Sequence, residues 1–401
     1  VTTTTRVYKS TDAGAPVLTG AVSSLINVLD ACLVTGYNTK TITITRSGDV
    51  ATAACTAHGF LAGQYVTISG ATPSGYNGEF RVASVTANNF TFEVLGSPAT
   101  PATGTISCVQ SPAGWTKPYT GTNKAAFRNS VAAGGTGMYL RVNDSASGTG
   151  GAREALVRAY RTMSNVDTGT IETPTVAQVA ASIVWRKSNT VDSTARAWIL
   201  VADELTMYLC VSTGTINSNV GDSTYGAGDI ASHVPGDTYR FFVSGREAQA
   251  VAGDVGGSSY GLMTQATTGF GAPSTVACAW LARGYAGTGS PVRIGLAVFG
   301  TMSDSAGIGT SNGSTARPSP GSSLSYFYPA FIGIESSIRG QMRGLYVPQN
   351  DWSGVSAGFE VVDPPGLTGT LMALRHNIHS VTYSAVYDGH IFVDITNAWP
   401  A

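Results

Sequence analysis

Near the start of the chain, apolar residues recur at three- and four-residue steps. Leu18, Val22, Leu25, Ile26, Leu29 and Leu33 form one stripe within VLTGAVSSLINVLDACLV (17–34), the spacing of a short amphipathic helix with one buried face. Gly36 follows as a stop. Such a helix is expected to dock on a core or on another subunit. Residues 1–16, ahead of it, read as an extended polar arm.

From residue 40 the period changes to two. Thr and Ile alternate in TITIT (41–45), and QYVTISGA (64–71), GEFRVASVT (78–86) and NFTFEVLG (89–96) read as short strands. SGATPSGYNG (69–78) and TANN (86–89) separate them as turns. This predicts an antiparallel module of sandwich or small-barrel type over 40–110, closed by the linker SPATPATG (97–104). The body, 111–401, continues the strand-and-turn alternation. MYLRVND (138–144) and REALVRAYRTM (153–163) flank DSASGTGGA as a hairpin, although the second of them also fits a short helix. SIVWRKS, RAWILVADE, LTMYLCVST, TYRFFVSG, TVACAWLARGY, VRIGLAVFG and YFYPAFIGIE follow as strands, and residues 303–323 read as a loop or linker. GLYVP, FEVVD, TLMALRHN, SVTYSAVY and HIFVDI complete the pattern. The expected class is mainly β: antiparallel sandwich or barrel-like domains with one short amphipathic N-terminal helix, in three parts (1–39, 40–110, 111–401).

Composition sharpens this picture. Charged residues are 12% of the chain against about 25% in ordinary soluble proteins. Glycine supplies 49 of 401 residues, well above the usual ~7%, which suits tight turns and not long helices. Hydrophobic residues, at 43%, suffice for a sizeable core. The 23 basic and 24 acidic side chains leave a net charge of −1 with no basic block, so no nucleic-acid partner is expected. No run of apolar residues is long enough for a membrane helix. The opening VTTTTRVYKSTDAGAPV lacks a signal-peptide layout, so any leader would already be gone. A surface poor in charge suits a protein whose exterior ends against neighbours, since interface cores shed Lys, Glu and Asp.

Several stretches resemble proteins of tailed bacteriophage particles. HGFLAGQYVTISGATPSGYNGEFRVASVTANNFTFEV (58–94) is similar to a small β-module of virion proteins, through His58-Gly59-Phe60, Val66 to Gly70, Tyr76-Asn77-Gly78 and Phe90-Thr91-Phe92. VYKSTDAGAPVLTGAVSSLINVLDACLVTGY (7–37), ARAWILVADELTMYLCV (195–211) and the closing RGLYVP and HIFVDITNAW resemble a group of phage particle proteins without an assigned detailed role. The resemblance implies a virion component of head, neck or tail: a capsid decoration, a neck or collar piece, or a tail or fibre subunit. It would be made in the host cytoplasm and partnered by copies of itself and other virion proteins. It carries over no catalytic residue and no cofactor. Val7, Tyr8, Leu18, Val22, Leu25, Ile26, Leu29 and Leu33 are the candidate assembly contacts.

Motifs for chemistry are sparse. GxSxG occurs at Gly257–Gly261 and Gly354–Gly358, but neither leads into the helix pattern that a nucleophile elbow needs. His376 and His379 have metal-compatible spacing without a third ligand nearby; His58, His233 and His390 read as structural. The glycine pairs 135/137, 148/150 and 287/289 lack a dinucleotide context. Five scattered cysteines (Cys32, Cys55, Cys108, Cys210, Cys278) show no CxxC spacing; Cys55 and Cys108 flank the β-module and could pair, but buried free thiols are the reading favoured. Two rival functions remain. Trp185, Trp198 and Tyr208 are candidate glycan contacts for a host-surface receptor-binding protein. Asp203, Glu204, Asp222, Asp229 and Asp237 offer carboxylates for a glycan hydrolase. The reading favoured is a non-catalytic protein without catalytic, cofactor or metal residues.

Overall fold

The structure, a computed structural model, describes residues 3–148, 150–180, 182–216, 219–247, 278–297, 326–334, 337–348, 355–379 and 386–400. It is β-rich and antiparallel, with one short α-helix near the N-terminus, as the alternating pattern predicts. The first strand, β1 (Arg6–Lys9), is followed by α1 (Ser24–Asp30) and by β2 (Tyr37–Ser47), β3 (Val50–Ala54), β4 (Tyr65–Ser69), β5 (Gly78–Val85), β6 (Asn89–Glu93) and β7 (Ile106–Gln110).

β2 to β7 close into a barrel in the order β2-β3-β6-β5-β4-β7, with β7 pairing back onto β2. Closure follows from the two-residue period. Ile42, Ile44, Ala51, Ala53, Val66, Ile68, Phe90, Phe92 and Ile106 point inward as one core, while Thr41, Thr43 and Thr45 point out. Closing the sheet also removes free strand edges, which otherwise invite mispairing. His58 sits buried at one turn: its Nδ1 accepts from the Phe60 N–H (3.0 Å), and Nε2 meets the Thr86 and Asn89 carbonyls (2.9 and 3.2 Å). Cys55 and Cys108 are free thiols, the reading favoured over a disulfide, with Cys108 buried and Cys55 partly exposed. Burial, together with the nearby Cys55, pushes the Cys108 thiol up to about 12.

The body is a connected system of 19 antiparallel strands among the described residues. The N-terminal arm belongs to it, because β1 pairs with Trp198–Ala202, Tyr8 opposite Leu200. REALVRAYRTM is strand rather than helix: Glu154–Asn165 forms the expected hairpin with Tyr139–Asn143. Its first six residues are all buried, and sheet contacts on both sides decide what local spacing leaves open.

The helix is shorter than the 17–34 stripe. Leu18 makes a bridge with Arg196, Ser23 takes a left-handed φ of 63°, and α-helix then runs only from Ser24 to Asp30, continuing as a π-turn over Ala31–Thr35. Gly36 does end it, at φ 73°, where a Cβ would lie 2.4 Å from the Gln110 carbonyl. Leu25, Val28, Leu29 and Leu33 pack into this chain's own core with Trp115, Phe127, Leu140 and Trp198.

That packing corrects the assignment of assembly contacts. Tyr8, Leu18, Leu25, Leu29 and Leu33 are fully or nearly fully buried within the chain. Val7 and Ile26 are partly buried against internal clusters. Only Val22 is classed as exposed. Apart from Val22, the apolar stripe therefore builds this chain's own core and is not free to bind a neighbour.

Candidate functional site

The aromatic residues named for glycan contact are interior. Trp185, Trp198 and Tyr208 are each no more than 2% exposed. Trp185 stacks on Tyr225 with ring centroids 5.2 Å apart, and its indole N–H donates to the Ser244 carbonyl (2.6 Å). The Trp198 indole donates to the Pro16 carbonyl (3.2 Å) and the Tyr208 hydroxyl to the Arg343 carbonyl (2.9 Å). None offers a face to a sugar, because apolar packing of strands covers them on both sides. Local sequence carried no signal of that second covering layer.

The acids named for hydrolysis are spent on ion pairs and turns. Asp203 Oδ1 accepts from the Leu205 and Thr206 N–H groups (2.9 and 2.8 Å) and from Arg343 Nη1 (2.9 Å). Its Oδ2 lies 2.7 Å from Arg343 Nη2, an ion-pair contact without hydrogen-bond alignment. Asp229 accepts from Asn129 Nδ2 (2.8 Å), Thr136 N (2.8 Å), Thr136 Oγ1 (2.6 Å) and Arg240 Nε (3.2 Å). Burial raises its carboxyl, and those donors oppose the rise. Asp237 faces Arg339 at 2.7 Å with both side chains buried. Glu204 accepts from Thr4 N (3.0 Å) and Arg6 Nη1 (3.1 Å). The Asp222 side chain lies outside the described residues. Buried charges need such partners, and this use competes with a role against substrate.

The remaining motifs bring no reactive centre together. The Gly257–Gly261 motif and the 303–323 segment lie outside the described residues. Residues 355–358 of the second GxSxG lead to the strand Glu360–Val362, not to a helix. His376 and His379 fall in the strand Thr370–His379, not on the helix that a shared metal at this spacing needs. Among the described residues no group of three or more His, Cys, Asp or Glu is arranged for a metal, and no helix is long and apolar enough to cross a membrane.

The arrangement does create a rigidly held barrel with a weakly charged outer face. Arg6 on β1 grips Glu79 on β5 through Nε and Nη2, both at 2.7 Å, while its Nη1 holds Glu204. Tyr8 donates to the Ser111 carbonyl (2.9 Å), and Tyr37 donates to Asp12 (2.8 Å). On the barrel exterior, strand register aligns Thr45 with Thr52, Thr52 with Thr91 and Thr91 with Ser84. The result is a row of β-hydroxyls crossing four strands, with Ser84 and Thr91 hydrogen-bonded at 2.7 Å. At one end of the barrel Val50 and Leu95 are 50% and 78% exposed, brought close because Val94 N–H donates to the Asp49 carbonyl. The alternating Thr residues hinted at this row, but only strand register makes it continuous.

No family model matches the chain, and no curated protein matches it. Among solved structures, the chain aligns with a protein described as "Phage phi92 endosialidase" at 11% identity and a TM-score of 0.15, over 89% of this chain and 52% of that one. The chain thus spans about half the length of that protein, and a TM-score of this size does not place the two in one fold.

Proposed function

We propose that the chain is a non-catalytic structural component of a tailed-phage particle, working by assembly with copies of itself and with other particle proteins. The observation that carries this reading is the Arg6-clamped barrel, whose outer face presents a row of aligned hydroxyls, with Val50 and Leu95 exposed at one end and few charged side chains. Such a face loses little on desolvation against a neighbour, because each hydroxyl can exchange water for a protein partner, whereas a charge cannot do so cheaply. The phage assignment itself rests on the resemblance of 58–94 and 7–37 to particle proteins. The internal ion pairs of Asp203, Glu204, Asp229 and Asp237 weigh against the hydrolase reading, because these carboxylates already hold the fold.

The test is quantitative mass spectrometry of gradient-purified particles from a lysate encoding the chain. The chain is expected at a fixed copy number relative to the major particle proteins. Its absence from particles, with the full amount recovered in the soluble fraction, contradicts the proposal.

A further inference from the structure

An open cleft of about 510 Å3 lies beside the pairing of Ser337–Pro348 with Val386–Asp394. The volume falls in the range of small-ligand sites. Its lining includes Gly344, Tyr346, Thr368, Asp394, Asn397 and Trp399. Trp399 is buried, and its indole N–H donates to the Asp394 carbonyl (2.8 Å). The ring sits against Gly344, where a Cβ would come within 2.2 Å of Nε1.

The polar groups of the cleft are already held in place. Asp394 Oδ1 accepts from the Thr396 and Asn397 N–H groups, both at 2.9 Å, and Oδ2 accepts from Asn397 Nδ2 at 2.9 Å. Asn397 Nδ2 also reaches the Thr368 carbonyl at 2.7 Å. An ionised carboxylate has about four acceptor positions, so Asp394 retains capacity for one more donor. Tyr346 is half-buried, packed on the cluster of Phe327, Leu371 and Phe392. Its hydroxyl has no hydrogen-bond partner among the described residues. Tyr346 and Asp394 lie on adjacent paired strands; burial raises that phenol, and the charge of Asp394 adds to the rise.

Among the described residues the lining contains no Lys or Arg. An anionic ligand would meet the carboxylate without a counter-charge, whereas an uncharged polyhydroxy ligand would supply the donor that Asp394 can accept. It would also meet the hydroxyls of Tyr346 and Thr368 and lay carbon–hydrogen surface on the tyrosine ring. We propose that this cleft is a binding site for one residue of a neutral saccharide, with Asp394 as acceptor, Asn397 as the residue that orients it, and Tyr346 as the contact surface. Among the described residues the cleft offers one carboxylate where a glycosidase sets two across the bond, so the role proposed for it is binding. This inference is independent of the assembly reading, since either can fail alone.

Saturation-transfer NMR on the full chain, with the methyl glycosides of glucose, galactose, mannose, rhamnose and N-acetylglucosamine as probes and N-acetylneuraminic acid as the anionic comparison, tests it. At least one neutral glycoside should show transfer. Its affinity should fall tenfold or more in Asn397→Ala and measurably in Tyr346→Phe, which keeps the ring and the packing. Unchanged melting temperatures confirm that the variants fold, and Tyr346→Phe decides alone if Asn397→Ala does not. No transfer to any neutral glycoside, equal affinity in the folded variants, or preference for N-acetylneuraminic acid overturns the proposal.

Discussion

Arg343 and Asp203 lie 140 positions apart in the chain and meet in its interior, Nη1 to Oδ1 at 2.9 Å, with both side chains fully enclosed. The same guanidinium donates to Thr206 Oγ1 (3.2 Å), to Thr3 Oγ1 (3.2 Å) and to the Pro400 carbonyl (2.5 Å). One arginine thus joins the β1 end of the chain, a central hairpin and the C-terminal segment. Arg343→Met strands a buried carboxylate and should cost about 3–5 kcal/mol in urea unfolding. The Arg343→Met, Asp203→Leu double variant should recover part of that loss, because removing both charges removes the unpaired one. Equal stability of wild type and Arg343→Met would show that the pair contributes nothing.

The Arg6–Glu79 grip ties barrel to body. Glu79→Ala removes two charge-assisted hydrogen bonds and should cost about 1–3 kcal/mol. Hydrogen exchange should rise at β1 and at the β4–β5 pair while the β3–β6 pair stays protected. Uniform protection throughout would contradict the clamp.

Asp144 and Lys187 form a buried pair, and the Asp144 carboxylate also accepts from the Leu25 N–H (3.0 Å). Burial pushes the Asp144 carboxyl up to about 6, although Lys187 and the backbone donors oppose the rise. Burial lowers the Lys187 ammonium. An unfolded aspartate titrates near ~4, so between pH ~4 and 6 the folded chain binds more protons than the unfolded one. Stability from this group is present below pH ~4 and is lost as pH rises through 6. Relative to Asp144→Asn, wild type should lose up to about 3 kcal/mol across that window. Urea unfolding at pH 4, 5, 6 and 7 reads it; parallel curves would refute the shift.

Trp198→Ala empties a site inside the main core and should cost about 3–5 kcal/mol. Any fall in glycan binding should then track the unfolded fraction, not precede it. Selective loss of binding by a folded Trp198→Ala protein would restore the ring as a contact.

The barrel was legible because its strands alternate cleanly: QYVTISGA, GEFRVASVT and NFTFEVLG become β4, β5 and β6. The helix was over-extended because the backbone contact of Gly20 with Thr190 and Asp192 and the left-handed Ser23 arise from tertiary packing that an apolar stripe does not record. The exposure of Trp185, Trp198 and Tyr208 was misread for a related reason. A ring in an alternating strand shows which face it occupies, but not whether a second layer covers that face. The partner of Asp203 was invisible, since strand register over 140 positions brings Arg343 to it. The Asp394 cleft was likewise unreadable, because it needs the pairing of Leu345 with Val393 before Asn397 and Thr368 come together.

The assembly claim is tested most directly by cryo-electron microscopy of the phage particle. The account predicts repeated density, on the particle's own symmetry, that fits the barrel and body with the barrel's Thr45–Thr52–Thr91–Ser84 face against a neighbouring subunit. A particle map fully accounted for by other chains would contradict it.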